Sequence, residues 1–474
     1  MERVLKFLTR RGNVFTILTL IGVAVGLGLG IGLRNSNGEA WTKRDAMYLR
    51  LPGDLFLRCL SGIMLPLIIS SLVSATGSLD LSVSKKIGSR ALVYYLSTSA
   101  IAAILGSAMV HFISPGTRSD DQNSEDCGGE GGSTIDTILD LLRNVFPPNI
   151  IAATHQNTRT EVTQNASIPF EDRDVNVRTV EGTNMLGLIV FSLVLGITLA
   201  ELKEVGAPLL AVFSATGSAM LRITTLIIWA GPLAVCFLIS GSLVEQGEVS
   251  EVFSNLSWYT GVMVGAYLLH GFVVLPILFF LLTRTLPFQF IRNISQAIFT
   301  AFGTASSSAT LPITLKCLEE NHKMDTRLTR FLIPIGATVN MDGAAIGVPL
   351  RVIYIAQLCG RSLSFGELVS ITLTSLAASV GLAGIPGVAM VVTMTILGSM
   401  GLPVSKIAFV LPVDWLQDRV GTVVNVVGDA FGAGIIGHLS KADLKKIDDD
   451  NLTSTIVEDQ KEVEEKSPSA ELVN

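Results

Sequence analysis

At 474 residues, with 49% hydrophobic and only 16% charged side chains, the chain is too apolar for an ordinary water-soluble enzyme. Its formal charge of −6 supplies no basic face for nucleic acid. Composition leaves open a protein that lives in lipid.

Arg3, Lys6, Arg10 and Arg11 precede an apolar run at 14–33, VFTILTLIGVAVGLGLGIGL. The run is close to the roughly 20 residues that cross a bilayer. A secretory leader is the competing reading, but its apolar core is only about 7–15 residues long. Further apolar runs also follow, at 91–114, 185–200, 217–241 and 258–283. The chain therefore reads as polytopic, with a cytoplasmic N-terminus anchored by positive charge. Lys85, Lys86 and Arg90 agree with that orientation, whereas Lys43, Arg44 and Arg50 oppose it.

Residues 116–184 form a polar insert, rich in Gly, Asp and Asn, that cannot lie in hydrocarbon and reads as an extracellular loop. It carries Asn165-Ala-Ser167, a glycosylation acceptor sequence. Weaker matches begin at Asn255, Asn293 and Asn451. The five cysteines (59, 127, 236, 317 and 359) have no CxxC spacing and give no readable disulfide framework.

The second half carries the chemistry. Residues 296–317, QAIFTAFGTASSSATLPITLKC, set a serine cluster and a proline between two apolar arms, each too short to span. Residues 372–398, TLTSLAASVGLAGIPGVAMVVTMTILG, repeat that plan around AGIPG. Both read as re-entrant hairpins whose tips meet a cavity, because bare backbone is not tolerated against lipid. A span with a polar break is expected after each: GATVNMDGAA at 336–345, then DWLQDRVGTVVNVVGD at 414–429, broken near its end. Hairpin then broken span, twice over, is the pattern of an inverted-repeat transporter with a midplane site. The tail, 441–474, is charged and reads as disordered and cytoplasmic.

On a helix, at about 100° per residue, Asp414, Asp418, Thr422, Asn425 and Asp429 fall in one stripe. An aspartate at the centre of a membrane helix costs about 2.5–3.5 kcal/mol on insertion scales. Asp342, Asp414, Asp418 and Asp429 together need roughly 10 kcal/mol of compensation, of which Arg419 offsets part. A bound hard cation and a substrate ammonium would supply the remainder. Na+ suits such a site, with backbone carbonyls beside the carboxylates and no His or Cys accompanying them. For Asp414 a structural salt bridge is an equal alternative. For Ser306, Ser307 and Ser308 the alternatives are a carboxylate-holding tip and a hydrogen-bonded turn.

With SSSATLP, GATVNMDG, AGIPG and DxxxTxxNxxGD in this order, the chain resembles the dicarboxylate/amino acid:cation symporter family. That family holds the excitatory (glutamate) transporters and the neutral alanine-serine-cysteine exchangers. The likeness covers about residues 10–440 and is densest over 295–440. It implies an all-α integral membrane fold of eight transmembrane helices and two re-entrant hairpins, built as inverted repeats and working as an elevator in a plasma-membrane homotrimer. Residues 1–286 would hold spans one to six, mostly scaffold and trimer contacts, with the third and sixth spans joining the transport domain. Residues 287–440 would be the transport core. The resemblance also implies Na+-driven uptake without an organic cofactor, often with an uncoupled Cl− conductance.

Carried over residue by residue, Ser306, Ser307 and Asn425 would hold the substrate carboxylate and Asp418 with Thr422 its ammonium. Ala344, Ile385 and Gly421 would also face the substrate. One Na+ site would use Asp429 with carbonyls of Gly336, Asn340 and Asn425. A second would use carbonyls of Thr338, Ser379, Val380 and Leu382. A third would use Asp342, the Asn340 side chain, Tyr95, Thr98 and Ser99.

The chain departs from the acidic-substrate members at informative places. They carry an arginine three residues after the ammonium-binding aspartate, where this chain has Gly421, and a threonine after NMDG, where it has Ala344. Both changes remove partners for a distal carboxylate, whose unpaired burial costs several kcal/mol. A neutral substrate is expected, with room at Gly421 for a side chain larger than alanine. Against that, Arg351 stands where the family has a small residue, on one helical face with Ala344 and Val348. It would supply a relocated carboxylate-binding charge for an acidic amino acid, act as a resident cation, or snorkel near a helix end. Gly347-Val348 replaces the Tyr-Glu of the acidic transporters, which argues against K+ counter-transport and proton coupling. Behind the symporter stand a substrate-gated anion channel and an intramembrane enzyme. For the enzyme there is no GxSxG, HExxH or P-loop, and no metal spacing among the five histidines.

Overall fold

The computed structural model describes residues 11–36, 41–77, 85–117, 134–162, 175–245, 249–380, 382, 384 and 386–441. Three long helices open the chain: α1 (Arg11–Ser36), α2 (Lys43–Gly77) and α3 (Lys85–Ile113). The insert then contributes α4 (Thr134–Val145) and an antiparallel ribbon of β1 (Gln156–Val162) and β2 (Val175–Glu181). The ribbon is an addition to the expected all-helical fold. Its Thr and Val at alternating positions suit a pleated surface. Buried Asp140 of α4 ties it down, accepting from the Thr160 backbone N–H at 2.5 Å and the Thr160 hydroxyl at 2.6 Å. Asn165 and residues 442–474 lie outside the described residues.

Next come α5 (Met185–Glu201), α6 (Ala207–Ile228), α7 (Gly231–Glu245) and α8 (Val249–Leu269). The apolar run 217–241 is not one helix, as its continuity suggested. Pro232 sits in the first turn of α7, where its missing N–H costs nothing, and cannot continue the ladder of α6. A wide turn at His270–Val274 leads into α9 (Leu275–Thr283), and α10 (Pro287–Asn293) follows. Among the described residues seven helices are long and apolar enough to cross a membrane. Shorter apolar helices accompany them, among them α5 of 17 residues and α7 of 15.

The first hairpin is α11 (Ser295–Thr304) and α12 (Ser307–Lys316); the second is α15 (Phe365–Ser379) and α16 (Val388–Ser399). Between them, α13 (Thr326–Val339) and α14 (Asp342–Leu358) are the two halves of the expected broken span. Asn340 (φ −97°, ψ 70°) and Met341 (φ −97°, ψ 59°) leave the helical region between the halves. The last span differs from expectation. α17 runs unbroken from Leu411 to Leu439, and its polar side chains make their bonds without drawing the backbone out of its ladder.

α1, α2, α5, α6 and α7 pack on one another, whereas α3, α8 and α9 pack on the second half of the chain. Burial separates the spans. Of the apolar window in α17, 83% is buried, and of that in 326–358, 72%, against 11% in α6. The polar helices are therefore central and α6 lies on the outside of the chain. Cys359, which caps α14, is disulfide-bonded, although no spacing in the sequence announces it. Cys59, Cys236 and Cys317 are free thiols.

Candidate functional site

Backbone irregularities at the hairpin tips and in the broken span assemble the site. In the first tip Ala305 is left-handed (φ 50°) and Ser306 extended, so α12 starts at Ser307. The Ser306 hydroxyl accepts from the Ala309 N–H at 3.2 Å and donates to the Gly384 carbonyl of the second tip at 2.5 Å. The tips close on each other through that bond. Below them, α14 and α17 bound a cavity lined by Ser307, Ala344, Arg351, Asp418, Gly421, Thr422 and Asn425. Gln417 of α17, Gly347 of α14 and Tyr267 of α8 also line it.

Six of the expected substrate residues thus share one cavity. Ser306 acts as a latch between the tips, and Ile385 lies outside the described residues. The Ser307 hydroxyl is buried and has no partner among the described residues, which leaves a hydrogen bond for a ligand to complete. Asp418 accepts from the Gly387 N–H at 2.9 Å. The Thr422 hydroxyl donates to the Asp418 carbonyl at 2.6 Å, along its own helix. Asn425 is committed to the break: its oxygen accepts from the Gly343 N–H at 2.7 Å and its Nδ2 meets Met341 Sδ at 3.2 Å.

Arg351 is not a snorkelling residue. It is 1% exposed and sits on the buried length of α14 rather than at a helix end. Its Nε donates to Gln417 Oε1 at 3.0 Å, one Nη to Thr393 at 3.2 Å, and the other to Asp414 at 2.8 Å. Asp414 is therefore a salt-bridge residue, the alternative held open above. Gln417 also accepts from Tyr259 at 2.9 Å and donates to the Tyr267 hydroxyl at 3.2 Å, and Tyr267 donates to the Gly343 carbonyl at 3.1 Å. The room expected at Gly421 is taken by the Tyr267 ring, whose atoms lie 3.5–3.6 Å from where a Cβ would stand. The space beside Gly347 is filled by Gln417 and the Tyr267 hydroxyl. Neither Tyr267, within an apolar span, nor Gln417 was singled out by sequence. Only the helical spacing from Asp414 to Gln417 pointed to the latter.

Arg419 caps the first hairpin arm, donating to the carbonyls of Phe302 at 2.6 Å and Gly303 at 3.1 Å. Asp429 is buried and accepts from Asn340 Nδ2 at 3.1 Å. Gly336 packs so closely that a Cβ there would stand 2.5 Å from Asp429 Oδ1, which keeps backbone next to carboxylate. Asp342 accepts from the Ser99 hydroxyl at 2.7 Å, and Thr98 donates to Asn340 Oδ1 at 3.0 Å. Tyr95 donates instead to the Leu332 carbonyl at 2.9 Å. The expectation that no histidine accompanies the aspartates fails. His270 Nε2 lies 3.0 Å from Asp342 Oδ2, both fully buried, because the wide turn at His270–Val274 turns that ring inward. Ser379 and Val380 end α15 and Thr338 is in the last turn of α13, where helix-terminal carbonyls lack intrahelical donors. Leu382 lies beyond Val380 in the second tip, its N–H bonded to the Ser379 carbonyl at 3.3 Å. Among the described residues no group of three or more His, Cys, Asp or Glu could hold a metal ion. The carboxylates are spread along a polar column instead.

The profile of the sodium:dicarboxylate symporter family matches residues 15–439. Excitatory amino acid transporter 1 of Ambystoma tigrinum is 39% identical over 481 residues, covering 96% of this chain and 88% of its own length. Excitatory amino acid transporter 3 of Mus musculus is 39% identical over 430 residues, covering 85% and 82%. The excitatory amino acid transporter of Caenorhabditis elegans is 38% identical over 454 residues, covering 92% and 89%.

Proposed function

The chain belongs to the sodium:dicarboxylate symporter family, and from that premise we propose that its cargo is a neutral amino acid. It is a Na+-coupled amino acid transporter, a multi-pass membrane protein and not an enzyme. The observation that carries the neutral reading is the state of Arg351. That cation lines the cavity but is already paired with Asp414 at 2.8 Å, and Gly421 supplies no other. A second negative charge beside the pair would be buried without a counter-ion, a state that costs several kcal/mol.

In this reading the substrate carboxylate takes the orphaned Ser307 hydroxyl, and its ammonium takes Asp418 with Thr422. Ala344 and Gly421 border its side chain. Asp429 with the carbonyls of Gly336, Asn340 and Asn425 holds one Na+, and Asp342 with Asn340, Thr98 and Ser99 holds another. Carbonyls of Thr338, Ser379, Val380 and Leu382 hold a third. The association of α3, α8 and α9 with the second half supports a transport domain moving against a scaffold of α1, α2, α5, α6 and α7. A homotrimer, an accompanying Cl− conductance, glycosylation at Asn165 and return of the empty carrier without K+ belong to the same proposal. The test is Na+-dependent uptake of labelled alanine into proteoliposomes, competed by a panel of neutral and acidic amino acids. Neutral competitors are expected to win by at least about tenfold, a difference of about 1.4 kcal/mol.

A second reading has a specific observation behind it. Arg351 reaches the cavity, and the relatives named above are excitatory amino acid transporters, so a distal carboxylate that displaced Asp414 would find a cation. Aspartate or glutamate outcompeting alanine in the same panel selects this reading. A Na+-independent anion current without amino acid accumulation selects a channel over both.

A further inference from the structure

We propose that Asp414 is a built-in charge mask: it holds the Arg351 guanidinium and so sets which side-chain charge the transporter accepts. The inference deepens the neutral reading of the cavity and rests on it. Three features of the geometry carry it. First, the guanidinium is immobilised, because each of its three nitrogens is engaged by a different residue: Gln417, Thr393 and Asp414. Second, the two members of the pair differ in access. Arg351 is 1% exposed and lines the substrate cavity, whereas the side chain of Asp414 is 16% exposed and is not part of that lining. Third, the pair joins separate helices, α14 and α17, with Thr393 on α16 of the second hairpin as the third anchor. The carboxylate therefore meets Arg351 from α17, one turn before Asp418, without itself lining the cavity. It occupies the position a substrate carboxylate would need electrostatically without taking up space in the cavity.

A substrate that brings its own distal carboxylate meets a cation that is already neutralised. Without the Asp414 charge, Arg351 would be a buried, unpaired cation facing the cavity, which a distal carboxylate relieves. Without the Arg351 charge, Asp414 is left uncompensated and the same corner favours a cationic side chain. The pair thus predicts opposite changes of specificity from its two ends, which a purely structural salt bridge does not.

The experiment is competition against Na+-dependent alanine uptake in proteoliposomes, scored within each variant as the half-inhibition ratio of aspartate to alanine and of lysine to alanine. Asp414→Asn is expected to lower the aspartate ratio at least about tenfold, and Arg351→Gln to lower the lysine ratio by a similar factor. The double variant is expected to return both ratios to within about threefold of the parent. If a variant reaches the membrane but does not transport, the same comparison is made by Na+-dependent thermal stabilisation of the purified protein with aspartate, alanine or lysine. Unmoved ratios in both single variants overturn the mask while leaving the neutral reading intact. A parent protein that already prefers aspartate overturns the neutral reading itself.

Discussion

Gly343 and Gly421 face each other where α14 crosses α17, and substitution by alanine should affect them very differently. A Cβ at Gly343 would fall on the Gly421 carbonyl oxygen, and would stand 2.7 Å from its carbon and 2.8 Å from its Cα. These are backbone atoms that cannot rotate aside, so the helices must part by about 1 Å, an overpacking that costs about 1–3 kcal/mol. The shift also strains the 2.7 Å bond from the Gly343 N–H to Asn425, which contributes about 1 kcal/mol. Helix propensity returns about 0.5–1 kcal/mol. The net loss for Gly343→Ala is about 1–3 kcal/mol. At about 2–4 °C per kcal/mol for a unit the size of the transport core, unfolding should fall by about 2–12 °C. A Cβ at Gly421 instead meets the Tyr267 ring at 3.5–3.6 Å, an ordinary contact, so Gly421→Ala should be neutral or stabilising by up to about 1 kcal/mol. Thermal unfolding of the two purified variants in Na+ checks this. Equal melting temperatures, or the reverse order, would refute the claim that the close approach is built on Gly343.

Three further outcomes follow. Ser307→Ala should raise the half-saturation concentration of substrate about 5–30-fold, as expected for about 1–2 kcal/mol from one hydrogen bond, with surface expression unchanged. Asp429→Asn should flatten the Na+ dependence of uptake, read as the response of initial rate to Na+ concentration at fixed substrate. Internal K+ should leave the rate of net uptake into proteoliposomes unchanged, because buried, apolar Val348 offers no carboxylate to hold it; K+-dependent acceleration would contradict this.

What the sequence disclosed, it disclosed through patterns that lipid enforces. Apolar length marked most of the spans, and serine or proline between short apolar arms marked both hairpins. The polar stripe supplied Asp418, Thr422 and Asn425 of the cavity wall. The failures have a common cause, which is that contacts between distant residues leave no local trace. His270 lies 72 positions from the aspartate it meets, and Gln417 is 150 positions from Tyr267. The break expected near Asp429 is absent; the asparagine and aspartate there bond to Gly343 at the start of α14 and to Asn340 in the break between α13 and α14 rather than to their own backbone. The ribbon in the insert was hidden by the polarity that made the segment read as a loop, although its β-branched alternation was present.

The four aspartates Asp342, Asp414, Asp418 and Asp429 are not equivalent, and their partners rank how much each depends on something bound. Asp414 has a full counter-ion in Arg351 and needs nothing further. Asp342 has the Ser99 hydroxyl and His270, two neighbours that share its charge only in part. Asp418 has one backbone N–H, from the tip of the second hairpin, so its remaining lone pairs face the cavity. Asp429 has the Asn340 amide, which donates one bond to a deeply buried carboxylate. An ionised carboxylate so poorly compensated at membrane depth is unstable unless a cation joins it. Asn340 links that carboxylate to the Thr98 hydroxyl, whose neighbour Ser99 bonds to Asp342. A cation arriving at Asp429 therefore acts on the same asparagine that closes the break in the α13–α14 span. Asn425, four residues before Asp429 on α17, fixes the first turn of α14 and lines the substrate cavity. Under the proposed assignment, a cation at Asp429 and a substrate in the cavity bear on two asparagines of one hydrogen-bonded break, and that shared break is what would couple the two sites.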